Sequence, residues 1–221
     1  MPKTKRLTVD HFQSMLNRYG TVVVKPLDGS GGKGVIRVRK TGSDEYEIHR
    51  YSRKWKVSGL REAYRAVKRK QEKRVLIVQR YIRLASVRGR PFDLRIMVQR
   101  RSKKTQDWTV TGRLAKIAGK GYMITNVRRS GGRVTSAEKA IRMSDIKGKD
   151  EAKQLLKQAE QISVASAKKL ARTFTFIRRV GMDVGIDKNG KVWLIEANFR
   201  PSLSLFLKLS REAYNKIKRF G

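Results

Sequence analysis

The stretch Val180–Ser202, VGMDVGIDKNGKVWLIEANFRPS, reads as two short strands joined at Asn189-Gly190, the pair preferred in a two-residue type I′ hairpin turn. With that turn Lys188 pairs with Lys191. Counting outward sets Asp183 opposite Glu196, and Asn198 points to the same face two residues on. Like charges facing each other across a ladder repel. A divalent cation would relieve the repulsion. Two carboxylates and an amide oxygen suit a hard ion such as Mg²⁺, with Mn²⁺ the alternative, and such an ion completes its shell with water and nucleotide phosphates. An ordinary exposed hairpin with incidental acids is the competing reading of the same residues.

A second informative stretch is Lys25–Val38, KPLDGSGGKGVIRV, which follows the β-branched strand Thr21–Lys25. Gly29, Gly31 and Gly34 satisfy G-x-G-x-x-G, yet Val35, Ile36 and Val38 continue as a strand where a dinucleotide fold needs a helix. Gly34 is followed by Val-Ile, which excludes a P-loop. A glycine loop between antiparallel strands suits a lid over a nucleotide's phosphates instead. Backbone amides from Gly29 through Gly31 and Gly32 to Gly34 could donate to the phosphate oxygens, as could the Ser30 hydroxyl. Lys25 would add a point charge. A plain glycine-rich hairpin tip is the alternative. Protein kinases also place such a loop between strands, but the chain lacks His-Arg-Asp and Asp-Phe-Gly.

The remaining pattern alternates strands and helices. Thr8–Tyr19 reads as a short helix capped by Thr8 and stopped by Gly20, after a basic start (Lys3, Lys5, Arg6) expected to be a solvated tail. Strands are expected at Glu45–Tyr51, Val75–Tyr81, Phe92–Gln99 and Trp108–Ala118, and a basic helix at Leu60–Gln71. In FDLRIMVQ, Asp93 and Arg95 share one face, so Arg95 is either paired or turned toward an anion. Asp150–Arg172 carries a long amphipathic stripe, and Ser202–Phe220 is expected as one closing helix.

At 221 residues the chain can bury a core as one large domain or two packed lobes. Lys and Arg total 54 against 18 acids, a formal charge of +36 that calls for an anionic partner or substrate. There is no cysteine, so thiol chemistry is excluded, and two histidines are too few for a His-rich metal site. No signal peptide and no membrane-spanning run is evident, which makes the cytoplasm the default address.

These residues carry a resemblance to the ATP-grasp superfamily of carboxylate–amine ligases, most closely its YheC/YheD spore-coat-associated group. The matching pieces are VVVKPLDGSGGKGV, VQRYI, GRPFDLRIMVQ, DWTVTGRLAKIAGKGYMITNVRRSGG and MDVGIDKNGKVWLIEANFRPS, in family order from Val22 to Ser202. RimK-type glutamate ligases and D-alanine–D-alanine ligases share the lysine, glycine-loop and Asp…Glu-x-Asn elements. The resemblance implies an α+β fold of two lobes with antiparallel sheets clasping ATP. The small lobe would span about residues 21–80, and the larger metal-binding lobe about 1–20 and 81–221. Because few residues precede Lys25, a single core without a separate N-terminal substrate domain is expected.

The resemblance also implies roles. Lys25 would contact phosphates under the loop Gly29–Gly34. Gln79 would meet the adenine amino group, with Tyr81 and Ile82 as hinge contacts. Asp183, Glu196 and Asn198 would hold Mg²⁺, Arg95 and Arg113 would stabilise phosphoryl or acylphosphate charge, Asn126 would lie near the substrate or the metal, and Arg200 is a candidate for binding an acyl group of the substrate. ATP would phosphorylate a carboxylate and an amine would displace phosphate, forming an amide. The surplus charge exceeds what one nucleotide requires, so the expected partner is an acidic peptide, acidic polymer or nucleic acid. An oligomer neighbour or a separate protein could present it. The competing classes are a polyanion- or nucleic-acid-binding protein that keeps the fold, with Tyr51, Trp55, Tyr64 and Trp108 available for stacking, and a phosphotransferase without ligation.

Overall fold

The chain opens as β1 (Thr4–Arg6), α1 (Val9–Tyr19), β2 (Thr21–Pro26), β3 (Ile36–Lys40), β4 (Glu45–Arg50), β5 (Arg53–Ser58), α2 (Leu60–Lys68) and β6 (Leu76–Arg80) in a computed structural model. The model describes residues 1–29, 31–69, 71, 74–105, 107–147 and 151–220. Ser30 and Asp150, named above, lie outside the described residues. These first six strands form one antiparallel sheet in the order β1-β6-β2-β3-β4-β5. Period-two alternation sends Val22, Val24, Ile36, Val38, Ile48 and Val78 to one face, where Phe12 and Leu16 of α1 and Ala63 and Val67 of α2 cover them. Thr8 caps α1 by accepting from the His11 amide at 3.1 Å, and Gly20 ends it at φ 66°. The other face carries Val23, Lys25 and Gln79 toward the second lobe.

The second sheet is built from β7 (Ser86–Val87), β8 (Arg90–Gln99), β9 (Thr109–Ile117), β10 (Arg133–Thr135), β11 (Arg179–Ile186) and β12 (Val192–Asn198). Its order is β10-β9-β8-β11-β12, with β7 on β8, and all pairs are antiparallel. Between these strands come α3 (Val127–Ser130), α4 (Ala137–Arg142) and α5 (Ala152–Thr173); α6 (Ser204–Leu209) and α7 (Arg211–Phe220) follow β12. Phe92, Leu94, Ile96, Val98, Met182 and Val184 form the main core with α4 and α5. The opposite face is divided. Met97 and Leu114 lie under Phe206 of α6 and Ile217 of α7, while Asp93, Arg95, Lys116 and Asp183 face the first lobe. No helix among the described residues is long and apolar enough to cross a membrane.

Several expectations need correction. The basic start is no tail: Thr4 pairs with Gln79 and Arg6 with Ile77, which makes β1 an edge strand of the first sheet. Residues 1–20 therefore pack with the first lobe, not the larger one, because α1 buries Phe12, Met15 and Leu16 against that sheet. The closing helix is two helices. Ser210 is extended (φ −166°, ψ 152°), and its hydroxyl accepts from the Ala213 amide at 3.0 Å, a local cap that starts α7.

The β11–β12 turn also differs. Asp187 and Lys191 close a three-residue loop in which the Gly190 amide donates to the Asp187 carbonyl at 3.0 Å and Gly190 takes φ 81°. Asp187 Oδ1 holds the loop by accepting from the Asn189 and Lys191 amides at 3.0 and 3.1 Å. This shifts the register by one residue relative to a two-residue turn, pairing Ile186 with Val192 and Val184 with Leu194. A bulge between Asp183 and Val184 then absorbs Ile195 and shifts it back. Asp183 ends opposite Glu196 after all.

Candidate nucleotide and metal site

The inward faces of the two sheets bound a crevice of about 1000 Å³ including its open mouth. Its floor is a buried ion network. Arg95 grips Asp183 with both ends of its fork, Nε donating to Oδ1 at 2.6 Å and an Nη to Oδ2 at 3.0 Å. Lys116 donates to the same Asp183 Oδ1 at 2.9 Å and lies 3.2 Å from Asp93 Oδ2. Thr125 donates its hydroxyl to Asp93 Oδ2 at 2.7 Å, while Asp93 Oδ1 is buried with no partner. The β8 register places Arg95 beside Asp183 and Asp93 beside Lys116. Gly181 makes the fork's approach feasible, since a Cβ there would stand 3.2 Å from Arg95 Cδ and from one of its guanidinium nitrogens.

The electrostatics follow from that geometry. Burial alone would raise Asp183, but Lys116 and Arg95 outweigh it and hold the carboxyl at about 2. Burial pushes Asp93 up to about 6 against the pull of Lys116. Burial and then the Asp183 charge raise Glu196, and burial lowers Lys25 despite the opposing charges of Glu196 and Asp183. Glu196 is thus a half-buried carboxylate beside another carboxylate, with no ion-pair contact among the described residues. Asn198 donates Nδ2 to Asp183 Oδ2 at 3.4 Å and to the Gly181 carbonyl at 3.3 Å.

The donor set fits a hard divalent cation. Glu196 lacks a partner among the described residues and Asn198 has an oxygen left over, while the roughly four acceptor directions of Asp183 are taken by Arg95, Lys116 and Asn198, so Asp183 would join a metal's shell by giving up the 3.4 Å contact to Asn198. Among the described residues no three His, Cys, Asp or Glu side chains converge, so further oxygens would come from water or phosphates. Mg²⁺ bound there would answer the charge that now raises Glu196.

The opposite wall belongs to the first lobe. Lys25, Gly31, Gly32, Gln79, Tyr81 and Ile82 all line the crevice. Gln79 is buried and donates Nε2 to Thr4 Oγ1 at 2.8 Å, leaving Oε1 as an acceptor for an amino group. The glycine loop reaches across to the second lobe. Arg129 Nε donates to the Gly31 carbonyl at 3.3 Å, and a Cβ on Gly32 would stand 2.7 Å from Ile124 Cδ1. Gly29 and Gly34 do not line the crevice: Gly34 instead accepts from Gln71 Nε2 at 3.2 Å at the base of the loop. Asn126 lines the crevice, and its Oδ1 caps α3 by accepting from the Arg129 amide at 2.8 Å.

Two expected residues stand elsewhere. Arg113 lies on the α5 face of β9 and pairs with Glu160 at 2.6 Å, because Ile96 and not Arg95 is its partner in the ladder. Arg200 is exposed and does not line the crevice. The cation that does reach Asp183 from β9 is Lys116, which sequence reading missed together with Thr125; Asp93 is on the Arg95 face as expected, but Arg95 pairs with Asp183. Lys116 and Arg113 are three residues apart and so face opposite ways. Only the β8–β9 register, set across a long connection and a bulge after Met97, distinguishes them.

Two α+β lobes with antiparallel sheets, closed over by a glycine loop above paired acids, define the ATP-grasp fold. Solved structures share it. D-cycloserine synthetase DcsG matches with TM-score 0.59 and 14% identity, over 100% of this chain and 63% of that one. The ATP-grasp ligase PsnB, complexed with a phosphomimetic variant of its minimal precursor, Mg and ADP, matches with TM-score 0.51 and 13% identity over 100% and 52%. The chain belongs to the YheC/D-like ATP-grasp family, whose model matches residues 1–219. It is 27% identical over 210 residues to the endospore coat-associated protein YheD of Bacillus subtilis, covering 90% of this chain and 43% of that protein. It is 26% identical over 248 residues to the probable alpha-tubulin polyglutamylase Ttll1 of Tetrahymena thermophila, covering 96% and 55%. The chain thus spans about half the length of these curated relatives.

Proposed function

We propose that the chain is the catalytic core of an ATP-dependent carboxylate–amine ligase acting on an acidic peptide or polymer. One observation carries this reading: Glu196, half-buried beside Asp183 and without an ion pair among the described residues, faces Lys25 and a glycine loop anchored across the crevice. Gln79 Oε1 would accept from the adenine amino group, with Tyr81 and Ile82 beside the ring. Lys25 would meet the phosphates. Asp183, Glu196 and Asn198 would hold Mg²⁺, which when bound spreads the charge of the transferred group. Arg95 and Lys116 fix Asp183 in place, and Lys116 adds a preorganised positive charge.

In the reaction the γ-phosphoryl group passes to a substrate carboxylate oxygen and ADP leaves. An amine then attacks the acyl carbon, phosphate leaves, and the amine gives up a proton. The loop docked on Ile124 and Arg129 would exclude water from the acylphosphate. The kinship with a probable polyglutamylase and the charge of +36 both support an acidic substrate. The test is ADP release by the chain with Mg-ATP, an oligoglutamate acceptor and pooled amino acids, with products weighed by mass spectrometry. A ligase releases ADP over repeated turnovers only when amine and carboxylate are both present, and the peptide gains the mass of the amine less water. ADP release indifferent to amine would instead mean phosphorylation without ligation.

A further inference from the structure

Beside the nucleotide crevice, and sharing Tyr81, Leu84 and Met123 with it, lies a second chamber of about 1260 Å³ including its open mouth. Its deep wall is His49, which is 4% exposed and has no hydrogen-bond partner for either ring nitrogen among the described residues. The Tyr51 backbone is close enough to favour the charged ring slightly, but offers no bond of good geometry. Next to it Arg37, held to Glu47 at 2.9 Å and lying over the Tyr81 ring, keeps a buried Nε that also has no partner among the described residues. Lys54, Arg83 and Arg88 stand exposed at the mouth. Buried donors are ordinarily satisfied, so two orphans on the wall of one basic chamber point to an acceptor that arrives from outside.

We propose that this chamber receives the side-chain carboxylates of an acidic peptide whose reacting end enters the nucleotide crevice. The inference rests on the ligase reading and assigns its substrate a seat. The segment 119–126 makes the two spaces continuous: Gly119, Gly121 and Tyr122 wall the chamber, Ile124 to Asn126 wall the crevice, and Met123 belongs to both. A carboxylate would accept from His49 and Arg37 Nε within the chamber and meet the mouth cations as it enters. Burial, then Arg37 and Lys54, lower the His49 pKa, leaving a neutral ring with one N–H to donate.

Carboxylates suit the chamber better than nucleic acid: of its two aromatic rings Tyr81 is covered by Arg37, which leaves Tyr122 alone, and the aromatics expected to stack lie elsewhere. Trp108 is buried, Tyr64 packs on Phe12 at 5.8 Å, Tyr51 lies under Arg50 and Arg129, and Trp55 opens on a different groove.

The test uses the full chain and fluorescein-labelled deca-glutamate, read by anisotropy at about 0.1 M salt. Lys54→Glu/Arg88→Glu should weaken binding by at least roughly tenfold, against little change for Lys153→Glu/Lys157→Glu, which alters α5 by the same charge. His49→Leu, neutral for neutral, should weaken it several-fold; this separates the chamber from general attraction to a basic surface. Mg-ATP should still raise the melting temperature of every variant. Equal losses in the α5 control, no binding by the wild type, or tighter chamber-dependent binding of oligo-dT would each overturn the proposal. Chamber-dependent binding of deca-glutamate by a chain whose melting Mg-ATP does not move would uphold the chamber and refute the ligase reading.

Discussion

Glu196→Gln separates the metal site from the architecture beneath it. Asp183 and Glu196 face each other across the β11–β12 ladder, yet their surroundings differ. Asp183 is locked by Arg95 and Lys116, and Asp183→Asn breaks a buried ion network at a cost of about 3–5 kcal/mol. For a chain of this length that lowers the melting temperature by roughly 6–20 °C. Glu196 has no such partner, and burial and Asp183 hold its carboxyl above the usual glutamate range. A carboxyl with a raised folded pKa binds protons more tightly in the folded state. Stability therefore falls as pH rises from the ordinary glutamate value through the folded one, and the loss is complete once the pH has passed the folded value. The amide removes that loss, so Glu196→Gln should melt at or above the wild-type temperature without ligand. With Mg-ATP at a hundred times its dissociation constant, the wild type should gain about 2.7 kcal/mol, or roughly 5–11 °C. Glu196→Gln should lose most of the part of that gain that depends on Mg²⁺. Differential scanning fluorimetry with and without EDTA measures all of these. The reasoning fails if Glu196→Gln destabilises the unliganded chain as much as Asp183→Asn does, or keeps the full Mg²⁺-dependent gain.

Lys116→Met leaves Asp93 and Asp183 with Arg95 as their near cation, and chemical denaturation should show a loss of about 3–5 kcal/mol. Arg113→Ala removes a half-exposed pair with Glu160, so the same measurement should register no more than about 1 kcal/mol, with the Mg-ATP melting shift intact. A shift lost with Arg113 would place that side chain in the crevice after all. Gly32→Ala sets a Cβ against Ile124 at a backbone φ of 71°, a strain of about 1–2 kcal/mol. It should lift the loop off the second lobe, shrinking the nucleotide-dependent melting shift more than it lowers stability.

What could be read in the sequence was local. Thr8 and Gly20 bracket α1 by capping chemistry that acts within one turn, and the alternation in VVVK and FDLRIMVQ marks strands without a partner in view. What could not be read was register across distance. The pairing of Asp183 with Glu196 was reached through an assumed two-residue turn, and it survives because the three-residue loop and the bulge displace the strand by one residue each in opposite senses. The exchange of Arg113 for Lys116 has the same origin, since the β8–β9 register, with Thr111 of β9 left over opposite the Met97–Val98 step, decides which β9 side chains face the first lobe. The strand at Thr4–Arg6 was hidden because three residues carry too little periodicity to outweigh three cations.

The distribution of charge bears on the acidic partner proposed beyond the nucleotide. Deep in the crevice Lys25, Arg95 and Lys116 stand against Asp93, Asp183 and Glu196, three of each sign, with Arg80 stacked at the rim on Tyr19 and Trp193. A nucleotide's phosphates with their Mg²⁺ would therefore enter a nearly neutral pocket whose cations are largely committed to its acids. The surplus of 36 positive charges lies almost wholly outside that pocket, so nucleotide binding neither accounts for it nor draws on it. A field of that size has its effect at the surface, steering and holding something long and negative, and it weakens with salt in proportion to the contacts made. Salt should then separate the two ligands. Between about 0.05 and 0.2 M, oligoglutamate binding should fall by orders of magnitude while the Mg-ATP melting shift changes little. Parallel salt dependence of both would mean that the nucleotide, too, is held by the exposed charge and that the crevice is not its site.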